Sequence, residues 1–399
     1  MRVLSDPDTS DTLFSDVYPV IQRYAVNEPL LPNLTTLHVR EIEESLFPYI
    51  SLFLSPTITS VSFGFSELPE SVVASMITSL PTSCPNLQDI DLPSLPRDPM
   101  ITAAVSSMFL ATNRNAPRGF CVGSPLTEEA SEAVYKSQNL RNLSVVIEKG
   151  TSIRFASLPN LTCLDIECDD GNDGLQLLRG ATFGKLRTVT FRLDSWPIDD
   201  FLEAFKEAAL SSSIQNTLSV FHLLTEWPWN PNYSSLLPFT QLVDLNIQSS
   251  CDDSCSRVDD NVVINLSQAM PKLETLILGN EPCYAFTGGV TVKGFMALAY
   301  NCPDLSHLCV HFQVASLSDT PTAFERTRKA GYSAPWTGCA LKELVVGETL
   351  VAEESVSTAA LTLLRIFPRI ETIIHPNEGW DKVEDLIWRS RQIVDCSGK

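Results

Sequence analysis

Short segments with the same alternation of apolar and polar residues recur along the whole chain. In each segment an apolar residue is followed three and five residues later by two more, and the positions between them are mostly polar. LPNLTTLHV, whose pattern starts at Leu34, is the first of twelve copies, and MPKLETLIL, whose pattern starts at Leu273, is the most regular. Since side chains alternate between the two faces of a strand, each copy predicts a short strand with one apolar face.

The copies follow one another at similar intervals. Their first apolar residues are Leu34, Ile58, Leu87, Leu140, Leu161, Leu186, Leu218, Leu242, Leu273, Leu305, Leu341 and Ile370. The step of 53 residues before Leu140 is about twice the others, and PRGFCV, from Pro117 to Val122, fits inside it as a degenerate copy. With thirteen copies the mean period is 28 residues. This spacing and period are the signature of a leucine-rich repeat.

The segments between the copies predict helices. They carry apolar residues three and four positions apart, and most have proline at the start or acidic residues in the first turn. The predicted helices are Pro69–Leu80, Thr127–Ser137, Pro197–Leu210, Asp259–Met270, Thr291–Asn301 and Ala352–Phe367. Just before the strands, three positions ahead of the first apolar residue, stand Leu31, Cys84, Leu158, Met270, Cys302 and Phe367. Cysteine that alternates with Leu, Met and Phe at one position indicates a small buried apolar side chain.

These elements predict an α/β fold of the solenoid type. A strand with one apolar face is stable only against its neighbours, so stacked units share one core. We expect a leucine-rich repeat horseshoe with a parallel β-sheet on the concave face and helices and loops on the convex face. The array of about thirteen irregular units covers residues 30–379, with an N-terminal helical cap at 1–29 and a C-terminal helical cap at 380–399.

Cysteine usage and hydropathy indicate an intracellular protein. The eleven cysteines are odd in number and spread along the chain, and the N-terminus MRVLSDPDTSDTLFSD has no apolar run typical of a signal peptide. No apolar run approaches the roughly 20 residues that a membrane-spanning helix needs. We therefore expect reduced thiols, a cytoplasmic or nuclear location and no membrane association.

Composition and motifs argue against catalysis and metal binding. The chain has no G-x-S-x-G, no phosphate-binding glycine loop and no H-E-x-x-H, and its five histidines lie in different units. The pair Cys251 and Cys255 has no second pair near it to complete a zinc site. DIECDDGNDG, from Asp165 to Gly174, lacks the ligand spacing of a calcium loop and is interpreted as a solvated acidic turn. We predict no enzyme activity, cofactor or metal.

The net charge of −20 points to protein partners. An acidic surface repels phosphate backbones and anionic lipids, so nucleic acid is not expected as a partner. The acidic residues are distributed in pairs along the chain and do not form one tail. An alternative is that this charge only keeps a long array soluble and monomeric.

The repeat pattern identifies one candidate binding surface on the concave face. The residue after the first apolar position projects from the sheet, and in three units it is arginine: Arg118, Arg141 and Arg187. Arg118 and Arg141 are expected on adjacent strands, about 5 Å apart, with Arg187 two strands beyond. Such a row suits an acidic or phosphorylated peptide. Alternatively, Asp165 and nearby acidic groups pair with these arginines.

A second candidate surface is apolar. The position between the second and third apolar residues is occupied by Ile277, Cys309, Val345 and Ile374 in the last four units. An apolar stripe on a nominally exposed face indicates either a protein contact or a surface covered by the chain's own loops. The insertion Ser316–Thr337 is a candidate cover.

The irregular units LPNLTTLHV, CPNLQDIDL, LPNLTCLDI and CPDLSHLCV, separated by helices of unequal length, resemble the leucine-rich repeat region of fungal F-box proteins. The resemblance covers roughly Leu30 to Pro376, and CPNL and CPDL are similar to the cysteine-containing repeat subtype. It implies the substrate-recognition part of an SCF-type ubiquitin ligase adaptor, with the target on the concave face and Skp1 and a cullin bound through an F-box.

The chain departs from that family at its N-terminus. An F-box needs about 40 helical residues ahead of the repeats, but only about 30 precede Leu31 and none matches its Leu-Pro start. We therefore expect Skp1 and cullin as partners only if an F-box exists upstream. The rival interpretations are a free-standing repeat scaffold or regulatory protein without a role in ubiquitin transfer, and an enzyme whose Ser, His and acidic residues converge from the insertions.

Overall fold

The computed structural model describes most of the chain. The described residues are 3–5, 29–42, 44, 47–65, 68–112, 117–150, 157–194, 201–226, 231–249, 258–279, 289–313, 339–346, 350–375 and 378–397. They belong to two compact units, the first made of Met1–Cys168 and Gln176–Leu186 and the second of Asp169–Leu175 and Arg187–Lys399.

The first unit contains a parallel β-sheet. Its strands are β1 (Val3–Ser5), β2 (Thr36–Ile42), β3 (Ser60–Phe65), β4 (Asp89–Leu92), β5 (Gly119–Pro125), β6 (Asn142–Ile147) and β7 (Cys163–Cys168). Each strand pairs in parallel with the next along the chain. Helices α1 (Phe47–Ile50), α2 (Glu70–Ser83), α3 (Pro99–Thr112) and α4 (Glu128–Lys136) lie between the strands, and the division between the units falls inside α5 (Gly171–Gly180).

The second unit repeats this arrangement. Its strands are β8 (Thr188–Leu193), β9 (Val220–Thr225), β10 (Asp244–Ser249), β11 (Thr275–Leu278), β12 (His307–Val310), β13 (Glu343–Val345) and β14 (Thr372–Ile374). They also pair in parallel in chain order. Its helices are α6 (Phe201–Ser211), α7 (Asp260–Ala269), α8 (Val292–Asn301), α9 (Val356–Ile366) and α10 (Glu378–Ser397), with short 3₁₀ segments at Ile214–Asn216, Tyr233–Leu236 and Glu353–Ser355.

The predicted α/β architecture and all thirteen predicted strands are confirmed. Strands β2 to β14 each begin two residues after the first apolar residue of a copy, and the degenerate copy PRGFCV forms β5. The first apolar residues of the twelve regular copies are at most 1% exposed. Because the second apolar residues are buried as well, from Leu37 to Ile373, the inward faces of the strands form the core of each unit.

The loops that lead from helix to strand have a repeated geometry. Cys84, Met270, Cys302 and Phe367 are fully buried, and each backbone N–H donates to the carbonyl four residues earlier at the helix end. Their own carbonyls accept from the first apolar residue of the next strand at 3.2 Å. These contacts confirm the predicted buried position. Leu31, at the same position of the first copy, is only half-buried.

The helix predictions are correct where the segments are amphipathic. Helices α2, α4, α7 and α8 match their predicted ranges within a few residues, and α9 begins after a 3₁₀ turn. Helix α3 was not predicted, and DIECDDGNDG is not a turn, since it contains the end of β7 and the start of α5. The backbone N–H of Asn172 donates to the Asp170 Oδ1 at 2.9 Å, so this aspartate stabilises the helix start.

The two chain ends differ in how far the structure describes them. The N-terminal cap helix predicted from Asp11 to Ala25 lies outside the described residues, and residues 3–5 of the predicted cap range form β1. At the other end, α10 buries Trp380, Val383 and Ile387. It also places the Glu384 Oε1 where it accepts from the Ile373 N–H at 3.1 Å, which satisfies a backbone donor of the last described strand.

Candidate functional site

The first unit contains an open groove of about 620 Å³ at the edge where strands β4 to β7 begin. We call it the basic groove; it is lined by Gln88, Arg118, Asn139, Arg141, Asn160, Thr162 and Lys185. Gln88, Arg118, Arg141 and Thr162 each stand immediately before a strand. The two asparagines and the lysine each precede the first apolar residue of a copy. The repeat geometry therefore places seven polar side chains along one edge.

Backbone hydrogen bonds fix the spacing of this edge. The N–H of Arg118 donates to the carbonyl of Gln88, that of Arg141 to the carbonyl of Arg118, and that of Thr162 to the carbonyl of Arg141, each at 2.7 Å. Neighbouring strands lie about 4.8 Å apart, so the two arginines emerge one strand spacing from each other. The predicted adjacency of Arg118 and Arg141 is confirmed, and both residues are exposed.

Part of the groove is held in place by side-chain hydrogen bonds. The Lys185 Nζ donates to the Asn160 Oδ1 at 2.9 Å, and the Asn160 Nδ2 donates to the Gln138 carbonyl at 3.0 Å. The Thr162 hydroxyl donates to the Arg141 carbonyl at 2.9 Å. The two bonds made by Asn160 fix the direction of the Lys185 ammonium group, and Lys185 remains exposed.

The two arginines have no close acidic partner within the described part of the chain. No carboxylate there lies within 4.0 Å of the guanidinium nitrogens of Arg118 or Arg141. Pairing of these two arginines with Asp165, the alternative interpretation, is not observed as a direct ion pair. Asp89 interacts electrostatically with both arginines.

Asp89 lies beside the groove, at the first position of β4. Its Oδ1 would be 2.7 Å from a Cβ atom at Gly119, so the absence of a side chain at Gly119 gives the carboxylate its place next to Arg118. Burial raises the pKa of the Asp89 carboxyl above its usual value, and the charges of Arg118 and Arg141 offset part of that rise. The groove thus combines three cations with one partly buried carboxyl.

Arg187 is not among the residues that line the basic groove. It belongs to the second unit, is exposed, and precedes β8; its carbonyl accepts from the Ser219 N–H at 2.8 Å. Lys185 supplies the third cation of the groove instead. Lys185 stands one residue before the first apolar position of its copy, outside the column in which the pattern places the arginines.

The apolar column of the second unit is contiguous but only partly accessible. Ile277 aligns with Cys309, Cys309 with Val345, and Val345 with Ile374 on successive strands. Cys309 and Val345 are each 7% exposed, Ile277 is half-buried and Ile374 is 39% exposed. The candidate cover, Ser316–Thr337, lies outside the described residues. Because two of the four side chains are buried, the column does not offer a continuous apolar surface.

The described ranges contain two close contacts between a histidine and a carboxylate. Histidine–carboxylate pairs occur at His222 and Asp244, 3.2 Å apart, and at His375 and Asp381, 3.5 Å apart. Among the described residues there is no group of three or more His, Cys, Asp or Glu side chains that would hold a metal ion. Cys251 and Cys255 lie outside those ranges. Within the described ranges, none of the helices is long and apolar enough to cross a lipid bilayer.

Cys121, on β5 near the groove, is expected to be chemically inert at neutral pH. Burial raises the pKa of its thiol to about 12, and Asp91, Cys163 and Asp165 contribute to the rise. A raised pKa keeps the group as a neutral thiol until the pH approaches 12, and the thiolate is the reactive form. We predict that iodoacetamide at pH 8 alkylates Cys121 at least about 100-fold more slowly in the folded protein than in 6 M guanidinium chloride. Peptide mass spectrometry measures both rates; equal rates would contradict the assignment.

No protein-family model matches the chain, and no curated protein sequence matches it.

Proposed function

We propose that this chain is a leucine-rich repeat protein of the horseshoe type that binds another protein and has no catalytic activity. Three observations support this proposal. The strands recur at the repeat spacing and pair in parallel within each unit, the apolar residues of each copy are buried, and helices lie between most of the strands. In such arrays the polar side chains between the apolar positions project from the sheet and are available to a partner.

The basic groove is the single observation that carries the binding function. Arg118, Arg141 and Lys185 lie together on a chain whose net charge is −20. The net negative charge of the protein repels acidic surfaces, whereas the local cluster of cations attracts them, so the groove orients an acidic partner segment. The overall charge opposes binding of nucleic acid and of anionic membranes. We propose a protein partner, a monomeric state and an intracellular location in the cytoplasm, the nucleus or both.

We further propose that the chain is the substrate-recognition part of an SCF-type ubiquitin ligase adaptor. This step rests on the resemblance of its irregular units to those of fungal F-box proteins. In that assignment the groove holds the target protein, and Skp1 and a cullin are recruited only if an F-box exists upstream. The alternative is a free-standing repeat scaffold with the same groove and no connection to ubiquitin transfer.

Affinity purification of the protein from its native cells, expressed from the complete transcript, tests the function. Recovery of Skp1 and a cullin in stoichiometric amounts, together with a target protein, is the result expected for the adaptor. Recovery of a stoichiometric protein partner without Skp1 favours the scaffold. If no protein co-purifies after mild crosslinking, the proposed protein-binding function is wrong.

A further inference from the structure

The side chains of the basic groove fall into two groups. Asn160, Thr162 and Lys185 are engaged with one another or with the backbone. By contrast, within the described part of the chain the side chains of Gln88, Arg118, Asn139 and Arg141 make no hydrogen bond that meets normal distance and angle criteria. Asn86 and Asn160, which occupy the position of Asn139 in other copies, both donate to a backbone carbonyl. The groove therefore holds two guanidinium groups and two amides whose donors are not used by described residues.

Asp89 is an acidic side chain that interacts electrostatically with both arginines of the groove. Asp89 lies on β4, Arg118 precedes β5 and Arg141 precedes β6. In strand order the carboxyl therefore comes before both cations. Ser60, its neighbour on β3, carries no charge. Asp91 lies two residues further along β4, and Cys121, on β5, stays a neutral thiol.

From this arrangement we infer that the basic groove binds an oxyanion-bearing side chain, a carboxylate or a phosphate, on an extended segment of the partner protein, and that this oxyanion competes with Asp89 for the positive charges of Arg118 and Arg141. The inference rests on the proposed protein-binding function and names the chemistry of the partner segment. It assigns Asp89 as the residue that determines how strongly the groove prefers an anion.

The donor geometry suits an oxyanion. A guanidinium group presents its N–H donors in a planar fork that matches carboxylate and phosphate oxygens, and two such groups stand one strand spacing apart. The hydrogen bond to Asn160 orients the third cation, Lys185. The amides of Asn139 and Gln88 add neutral donors at the same edge. A volume of about 620 Å³ lies within the usual range of ligand pockets and accommodates a side chain with its flanking backbone.

Asp89 links this binding to pH. An anion next to the two arginines competes with the ionised carboxylate for the same positive charges, so binding favours the protonated form of Asp89. Burial already raises the pKa of this carboxyl above its usual value. Affinity for an anion of constant charge is therefore expected to increase as the pH falls through the pKa of Asp89. A mutation that removes the charge of Asp89 is expected to remove this pH dependence.

Fluorescence anisotropy with the full chain and labelled peptides tests the inference. Three anionic probes carry four consecutive glutamates, one phosphoserine or one cysteic acid. The sulfonate of cysteic acid does not titrate between pH 4 and 9. In the neutral control peptide, glutamine replaces the anionic residues. The key variant is Arg118→Glu/Arg141→Glu. Its matched control is Lys149→Glu/Arg179→Glu, which changes the net charge equally at exposed positions of the first unit. Circular dichroism verifies that each variant is folded.

We expect the wild type to bind at least one anionic peptide and not the glutamine peptide, with an affinity that falls as salt rises. The double groove variant is expected to lose at least about tenfold in affinity, and the matched control to change by less than about twofold. Asp89→Asn is expected to tighten binding of the cysteic acid peptide at pH 7.5 and to abolish its pH dependence. Comparison of the glutamate and phosphoserine peptides identifies the source of the oxyanion.

Two results overturn the inference. One is equal loss of affinity in the groove variant and in its matched control, and the other is failure of the wild type to bind any anionic peptide. The proposed function is judged separately with the partner purified from native cells. If Arg118→Glu/Arg141→Glu binds that partner as tightly as the wild type, the protein-binding function stands and the assignment of the groove is wrong. If no partner exists, the function itself is wrong.

Discussion

Replacement of Phe205 with alanine is expected to lower the free energy of unfolding of the second unit by about 3–5 kcal/mol. Phe205 lies on α6 and is fully buried. Its ring stacks on Phe221 with centroids 4.4 Å apart and on Phe239 with centroids 5.3 Å apart, and it meets the edge of Phe191 at 6.1 Å. Alanine at this position removes contacts to aromatic rings of three successive repeats and leaves a cavity.

Two further variants separate this effect from a general effect of mutation. Phe205→Leu keeps most of the volume and is expected to cost about 1–2 kcal/mol. Leu210→Ala, on the same helix, removes a side chain that is 44% exposed and is expected to change stability by less than about 0.5 kcal/mol. Urea denaturation, together with hydrogen exchange of β8, β9 and β10, measures the loss of stability. If Phe205→Ala costs no more than Leu210→Ala, the described packing of α6 is wrong.

Replacement of Trp380 with alanine is expected to detach α10 from the end of the second unit. Trp380 is completely buried, and truncation of such a side chain costs about 3–5 kcal/mol. Loss of α10 would also remove the Glu384 carboxylate that accepts from the Ile373 N–H and expose the edge of β14. An uncovered strand edge pairs with other chains, so we expect aggregation at lower temperature as well as local unfolding.

Trp388 provides the matched control on the same helix. This tryptophan is 58% exposed, so Trp388→Ala is expected to leave the stability nearly unchanged. Hydrogen exchange of β14 and α9, together with light scattering during heating, distinguishes the two variants. Similar exchange of β14 in Trp380→Ala and in the wild type would show that α10 does not protect this end of the sheet.

The strands could be predicted from sequence because one physical requirement governs all of them. Every copy must bury its first and second apolar side chains, and even PRGFCV, with Phe120 and Val122 inward, keeps that alternation. Helix α3 could not be predicted in this way. Its sequence PMITAAVSSMFLAT has no charged residue, so no polar face marks a helical period, and it starts where the Asp98 Oδ1 accepts from the Met100 N–H at 2.8 Å.

The candidate site was only partly predictable, for a similar reason. Arg118 and Arg141 occupy a column whose direction follows from strand alternation, and the structure brings them together. Lys185, Asn139 and Asn160 stand one residue before the first apolar position, where the backbone enters the strand and no periodicity assigns a face. The recurrence of asparagine there, at Asn33, Asn86, Asn139 and Asn160, was the available signal.

The apolar column shows where alternation alone fails. Ile277, Cys309, Val345 and Ile374 do occupy neighbouring positions on β11 to β14, as the pattern requires. Alternation assigns a side chain to the face opposite the leucine core but does not determine what else contacts that face. Burial of Cys309 and Val345 depends on tertiary contacts, so it could not be predicted from the pattern of a single strand.

Photo-crosslinking in native cells tests most directly whether the basic groove binds a partner protein. A photoreactive phenylalanine analogue is placed at Asn139, which is exposed and lines the groove, and in a second strain at Gln176, which is exposed on α5 and does not. Mass spectrometry of the adducts identifies the attached peptides. The account predicts a defined partner attached at Asn139 through a segment rich in Asp, Glu or phosphorylated residues, and little at Gln176. Equal or greater attachment at Gln176, or attachment at Asn139 only through neutral or basic segments, would contradict it.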